Sequence, residues 1–214
     1  MNRAELLIAM QDSRLVAVVR SKTAEDATAL AKAAADGGIK FVEITFSVPG
    51  ALEVIRSLGG RSSLHVGAGT VLSKKQAEDA IRGGAQFIVS PTLELDLLPI
   101  CHEADIACFP GAATPTEILT AARAGADLVK IFPADLVGGP EFVRQMSGPF
   151  PDVRFMVSGG VSLANVKEYV QLGVIGICLG SAYLGSFLVQ HGREQFVQEI
   201  IKFTDAVTEA KTPP

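Results

Sequence analysis

Short apolar, β-branched runs recur about every 23 residues along this chain, and stretches with helical periodicity separate them. The runs are Leu15–Val19, Phe41–Phe46, Leu64–Val66, Phe87–Val89, Ile106–Phe109, Leu128–Phe132, Arg154–Val157 and Ile175–Leu179. One strand, one helix and two brief loops fit such a period. The helical stretches carry their own punctuation. Thr114-Pro115-Thr116-Glu117 and Ser73-Lys74-Lys75-Gln76 read as capped helix starts. Gly37-Gly38, Gly83-Gly84, Gly125 and Gly173 stand where helices must stop, just before the second, fourth, sixth and eighth runs.

Strands that alternate with helices pair in parallel, and parallel strands covered on both faces read as unbroken apolar runs. Eight units predict an α/β fold, a closed (β/α)8 TIM barrel, as a single domain over residues 1–214. An N-terminal helix (about Ala4–Gln11) and a C-terminal helix (about Arg193–Thr208) fall outside the repeat, and the tail Lys211–Pro214 is expected to fray. An open doubly wound sheet is the rival, but Gly67-Ala68-Gly69-Thr70-Val71-Leu72 starts like a dinucleotide fingerprint and ends in Leu.

Composition removes several function classes. The formal charge of −4 gives no cationic footprint for nucleic acid. No apolar run approaches the ~20 residues that span a bilayer, and Leu6–Met10 is too short for the core of a signal peptide. Cys101, Cys108 and Cys178 are scattered in no paired spacing, as expected of reduced thiols in a cytoplasmic protein. His65, His102 and His191 show no metal-ligand spacing, so no metal site is expected.

Working residues of such a barrel stand at the C-terminal ends of its strands. Two residues there are unusual: Glu43 within Phe41–Phe46 and Lys130 within Leu128–Pro133. A charge inside a doubly covered strand is costly unless paired or neutralised. Strand alternation turns Val42, Ile44, Phe46, Val129 and Ile131 toward the helices, which leaves Glu43, Thr45 and Lys130 facing inward. One reading is a structural ion pair that plugs the barrel. The other is covalent catalysis: an amine taken out of water favours its neutral, nucleophilic form, which attacks a carbonyl to give a Schiff base. A nearby carboxylate would carry the protons. The glycine-rich Ser158-Gly159-Gly160 and Gly180-Ser181, after the seventh and eighth runs, read either as a phosphate seat or as plain turns.

Several elements then occur together and in order: Val42-Glu43-Ile44-Thr45, Val66-Gly67-Ala68-Gly69-Thr70-Val71, Ile88-Val89-Ser90-Pro91, Phe109-Pro110-Gly111, Val129-Lys130-Ile131-Phe132-Pro133-Ala134, Gly148-Pro149-Phe150 and Ser158-Gly159-Gly160. Over about residues 10–185 the chain resembles the 2-keto-3-deoxy-6-phosphogluconate (KDPG) and 4-hydroxy-2-oxoglutarate (KHG) aldolases, a family of class I aldehyde-lyases. The resemblance implies Lys130 as the Schiff-base lysine and Glu43 as acid/base. It implies Thr70, Pro91 and Phe132 around the pyruvyl group, and Gly159, Gly160 and Ser181 on phosphate, with Ser158 and Gly180 beside them. The usual Thr-Gly-Gly is here Ser158-Gly159-Gly160, which keeps the hydroxyl. An arginine that some members carry after the glutamate element is replaced by Phe46-Ser47-Val48-Pro49, so Arg20, at the end of the first run, is expected to take its role.

The implied reaction splits KDPG into pyruvate and glyceraldehyde 3-phosphate in the Entner–Doudoroff route, without metal or organic cofactor. The implied assembly is a homotrimer in the cytoplasm. KHG or 2-keto-3-deoxy-6-phosphogalactonate are alternative substrates. A phosphate-binding isomerase or epimerase and a non-catalytic sugar-phosphate sensor are alternatives of other classes.

Overall fold

The structure, a computed structural model, describes residues 1–59 and 64–211; residues 212–214 of the expected frayed tail lie outside them. The strands are β1 (Leu15–Val19), β2 (Phe41–Thr45), β3 (His65–Gly69), β4 (Phe87–Val89), β5 (Ala107–Phe109), β6 (Gly111–Ala112), β7 (Val129–Ile131), β8 (Phe155–Ser158) and β9 (Gly176–Leu179). The helices are α1 (Arg3–Ser13), α2 (Ala24–Asp36), α3 (Ala51–Leu58), α4 (Lys74–Arg82), α5 (Leu97–Glu103), α6 (Pro115–Arg123), α7 (Pro140–Ser147), α8 (Val166–Gln171) and α9 (Ser181–Lys211).

Every strand pairs in parallel with its neighbours, in the order β5-β4-β3-β2-β1-β9-β8-β7-β6. The ends of that order, β5 and β6, are separated in the chain only by Pro110. They are two halves of the fifth strand, one bonded to β4 and the other to β7, so the ring closes as a (β/α)8 barrel. The expected eighth-part repeat therefore yields nine segments. Pro110 has no N–H to offer the ladder, but its carbonyl accepts from Lys130 N at 2.9 Å.

Two hydrophobic layers follow from strand alternation. Val42, Ile44, Val129 and Ile131 pack outward against the helices. Val16, Val18, Phe41, Phe87, Phe109, Met156 and Cys178 fill the barrel together with Leu6, Leu7 and Met10 of α1. The N-terminal helix is thus a plug across the N-terminal ends of the strands. Its start is a complete capping box: Glu5 N donates to Asn2 Oδ1 at 2.8 Å and Asn2 N donates to Glu5 Oε2 at 3.0 Å.

The predicted caps at Ser73 and Thr114 also form, with Gln76 N and Glu117 N donating to their hydroxyls at 3.3 Å each. The third run, expected over Leu64–Val66, forms a strand that reaches Gly69, and both terminal helices change their bounds. The N-terminal helix extends to Ser13, and the C-terminal helix expected from Arg193 is the second part of α9, which starts at Ser181 and breaks at Gly192. No helix among the described residues is long and apolar enough to cross a membrane.

Candidate active site

Glu43 sits mid-β2 and Lys130 mid-β7, on non-adjacent walls, with side chains pointing into the barrel. Both are buried, at 1% and 5% exposure. Lys130 Nζ lies 3.4 Å from Glu43 Oε2 and 3.5 Å from Oε1. A charge-assisted hydrogen bond runs to about 2.7–2.9 Å, and a buried pair stabilises a fold only when its geometry is tight. The loose contact therefore argues against a purely structural plug.

The neighbours explain how a glutamate fits there. A Cβ on Gly69 would stand 2.0 Å from Glu43 Oε1, so the carboxylate lies flat over a bare stretch of β3. Two residues earlier, Gly67 clears space for the Phe87 ring, 2.3 Å from where its Cβ would be. Next comes Thr70, whose φ of 56° is a left-handed conformation costly for a β-branched residue. Its Oγ1 accepts from Arg20 Nη2 at 3.2 Å, and Arg20 Nη1 donates to Ser47 Oγ at 2.9 Å. Ser47 is in turn 2.8 Å from Thr45 Oγ1, which donates to the Val19 carbonyl at 3.0 Å. Arg20 is exposed at the end of β1 and is held above the barrel mouth, as the residue order predicts.

Pro91 follows β4, and its backbone lies flush on Gly111, where a Cβ would meet the Pro91 carbonyl carbon at 2.3 Å. Gly111 is the register partner of Lys130, which brings Pro91 beside the lysine's wall. The Phe132 ring stands half-exposed with its centroid 5.6 Å from Lys130 Nζ, within cation–π range. Ser158 ends β8 as the register partner of Cys178. Gly159 and Gly160 follow with φ of 109° and 65°. Gly180 and Ser181 leave the adjacent β9 and start α9. All the expected residues therefore stand at one end of the barrel, opposite α1.

The arrangement can hold a neutral or charged amine beside one carboxylate, with a guanidinium and hydroxyls at the rim and bare backbone turns on adjacent strands. The KDPG and KHG aldolase pattern matches residues 7–201. The chain belongs to the KDPG and KHG aldolase family. It is 38% identical over 174 residues to the 2-dehydro-3-deoxy-phosphogluconate aldolase of Treponema pallidum, covering 81% of this chain and 83% of that one. The Pseudomonas aeruginosa protein of the same description is 36% identical over 175 residues, 81% of this chain and 79% of its own. Among solved structures, a KDPG aldolase from Legionella pneumophila holds pyruvate as a covalent carbinolamine intermediate captured at low pH. It superposes with a TM-score of 0.78 at 28% identity, covering 96% of this chain and 98% of that one.

Three members of the site were not singled out from the sequence of this family member. Ser47, the seat of Arg20, continues the inward alternation of Glu43 and Thr45 and could have been found from it. Cys178 was expected only as a small apolar strand residue. It fills the barrel interior, where burial pushes its thiol up to about 12 while Lys130 pulls it down and Glu43 pushes it up. Asp135 packs its side chain against the Gly159-Gly160 turn, where Cβ atoms would meet it at 2.7 and 2.4 Å. Nothing in the sequence pattern marks it.

Proposed function

We propose that this chain cleaves KDPG to pyruvate and glyceraldehyde 3-phosphate through a Schiff base on Lys130. The buried Lys130–Glu43 pair at the barrel mouth carries this reading. The neutral Lys130 amine adds to the C2 carbonyl, Glu43 protonates the carbinolamine hydroxyl, and loss of water leaves an iminium beside the Glu43 carboxylate. Glu43 takes the proton of the C4 hydroxyl, and the C3–C4 bond breaks with its electron pair moving into the iminium. The aldehyde departs, and the enamine takes a proton at C3 from Glu43. Water then attacks the resulting iminium, its proton returns to Glu43, and pyruvate and the free amine are released. The protein supplies the electron sink, so the step needs no metal or organic cofactor.

Thr70, Pro91 and Phe132 line the pyruvyl end in this reading, and Arg20 faces the substrate's charged or hydroxylated part. Ser158, Gly159, Gly160, Gly180 and Ser181 receive the phosphate. Two adjacent strands delivering glycine turns and a helix start support that role. The homotrimer implied by the resemblance belongs to the same reading, and a sedimentation mass of a single chain would remove it. Three free, buried cysteines fit a reducing, cytoplasmic setting.

Pyruvate release by the purified protein from KDPG, its galactonate isomer and KHG tests the substrate. KDPG is expected to have the highest kcat/KM, and preference for either other compound would transfer the assignment to it. Glu43→Gln keeps the volume and removes the titrating group. Its kcat is expected to fall by about 10²–10⁴-fold while the fold holds, and activity within a few-fold of the parent would place the proton elsewhere.

A further inference from the structure

We propose that the hydrogen bond from the Tyr183 hydroxyl to the Glu199 carboxylate positions the helical segment that opens with Ser181, and thereby sets the preference for a phosphorylated over an unphosphorylated keto acid. The proposal rests on Ser181, Gly159 and Gly160 receiving the phosphate.

α9 consists of two rods. Gly192, at φ 76° and ψ 170°, breaks the helix in a conformation that only glycine adopts readily. The second rod is fixed, burying Phe196, Ile200, Phe203, Ala206 and Val207. The first, residues 181–191, buries Leu184 fully but leaves Val189 86% exposed. Tyr183, Phe187 and Leu188 pack partly buried on the same core, so the hold of this rod is apolar, and its directional tie lies in the contacts of Tyr183.

Tyr183 stands two residues after Ser181. Its ring meets Phe203 of the second rod edge-on at 5.8 Å and Phe187 of its own rod at 6.0 Å, and Phe187 faces Phe196 of the second rod at 6.5 Å. The contacts with Phe203 and Phe196 resist separation of the rods but permit sliding and turning. The directional link is the hydroxyl, which donates to Glu199 Oε1 at 2.5 Å. Glu199 is buried on the fixed rod, and its other oxygen accepts from Lys202 Nζ at 2.9 Å. A hydroxyl on the movable rod is thus tied to a carboxylate that is itself held in place. Hydrogen bonds to an anion fall off steeply with distance and angle. A small rotation of residues 181–191 would therefore misdirect Ser181 Oγ and the first backbone N–H groups. A substrate without phosphate does not use them. Tyr183 and Glu199 are positioning residues in this account.

The test compares kcat and KM for KDPG and for unphosphorylated 2-keto-3-deoxygluconate in four proteins: the parent, Tyr183→Phe, Glu199→Gln and Ser181→Ala. Tyr183→Phe removes one oxygen and keeps the ring packing. It is expected to raise KM for KDPG so that the phosphorylated-to-bare ratio of kcat/KM falls about tenfold, the scale of one hydrogen bond to a charged group. Glu199→Gln keeps an acceptor for the hydroxyl and is expected to retain most of the ratio. Ser181→Ala is expected to lower the ratio as well. If Ser181→Ala lowers it and Tyr183→Phe does not, the positioning role is wrong and the phosphate seat stands. If Tyr183→Phe slows both substrates equally, its role is structural and the proposal fails. If Ser181→Ala leaves the ratio intact, the phosphate seat is wrong and the proposal falls with it.

Discussion

A carboxylate fits inside this barrel because β3 is bare beneath it. In the proposed mechanism Gly69 is therefore as much a part of the acid/base apparatus as Glu43. Gly69→Ala would place a methyl group 2.0 Å from Glu43 Oε1, and the strand backbone cannot yield, so the carboxylate must move. We expect kcat to fall at least tenfold through misplaced proton transfer, with the circular dichroism spectrum unchanged; an unaffected kcat would show that the carboxylate has room to work from another position. At this scale the sequence was most informative where chemistry conflicted with context. Lys130 and Glu43 stood out because charged residues interrupt apolar strands, and alternation alone assigned their direction. Cys178 did not stand out, since a thiol in an apolar run breaks no rule. Asp135 meets the Gly159-Gly160 turn only through tertiary packing, which leaves no trace in spacing.

Among the elements, α9 departs furthest from its sequence reading. The capture of Glu199 by Tyr183 crosses between the two rods and leaves no trace in helical periodicity, which showed only the second rod. Burial alone would raise the Glu199 carboxyl, but the Tyr183 hydroxyl, the Lys202 ammonium and nearby His191 outweigh it and hold the group below its ordinary 4.5. A carboxyl held low stabilises the fold above its unfolded value and loses that contribution as pH falls through the folded one. The gap in Tm between the parent and Glu199→Gln should be full at neutral pH and close as the pH drops below 4.5. Thermal melts across that range check it, and a gap independent of pH would contradict the linkage. The capped starts at Ser73 and Thr114 were legible because a cap is a local bargain between neighbours in sequence. The split of the fifth strand at Pro110 was not, because only barrel closure gives its two halves different partners.

Across the whole molecule, one end of the barrel is given to stability, and the proposed mechanism assigns the other to chemistry. The interior column from Met10 through Phe87 to Cys178 is filled, and α1 seals it from below. Met10 is fully buried, and truncating such a residue costs about 2–5 kcal/mol. Met10→Ala should lower Tm by roughly 5–15 °C for a chain of this size while kcat stays within about twofold. A collapse of kcat with little change in Tm would mean that the plug reaches the chemistry. The barrel itself was readable from the repeat because each unit carries its own strand and helix, and every second unit ends its helix with a glycine stop. The role of α1 was not, since a helix outside the repeat has no periodic partner to show where it docks.

The central claim is that Lys130 is the amine that becomes covalently bound to substrate. Incubation with pyruvate and borohydride followed by mass spectrometry of the digested protein tests it directly. One reduced pyruvyl group should appear on the peptide containing Lys130, and Lys130→Ala should carry none. An adduct that persists in Lys130→Ala, or an unlabelled parent that still releases pyruvate from KDPG, would contradict the Schiff-base account.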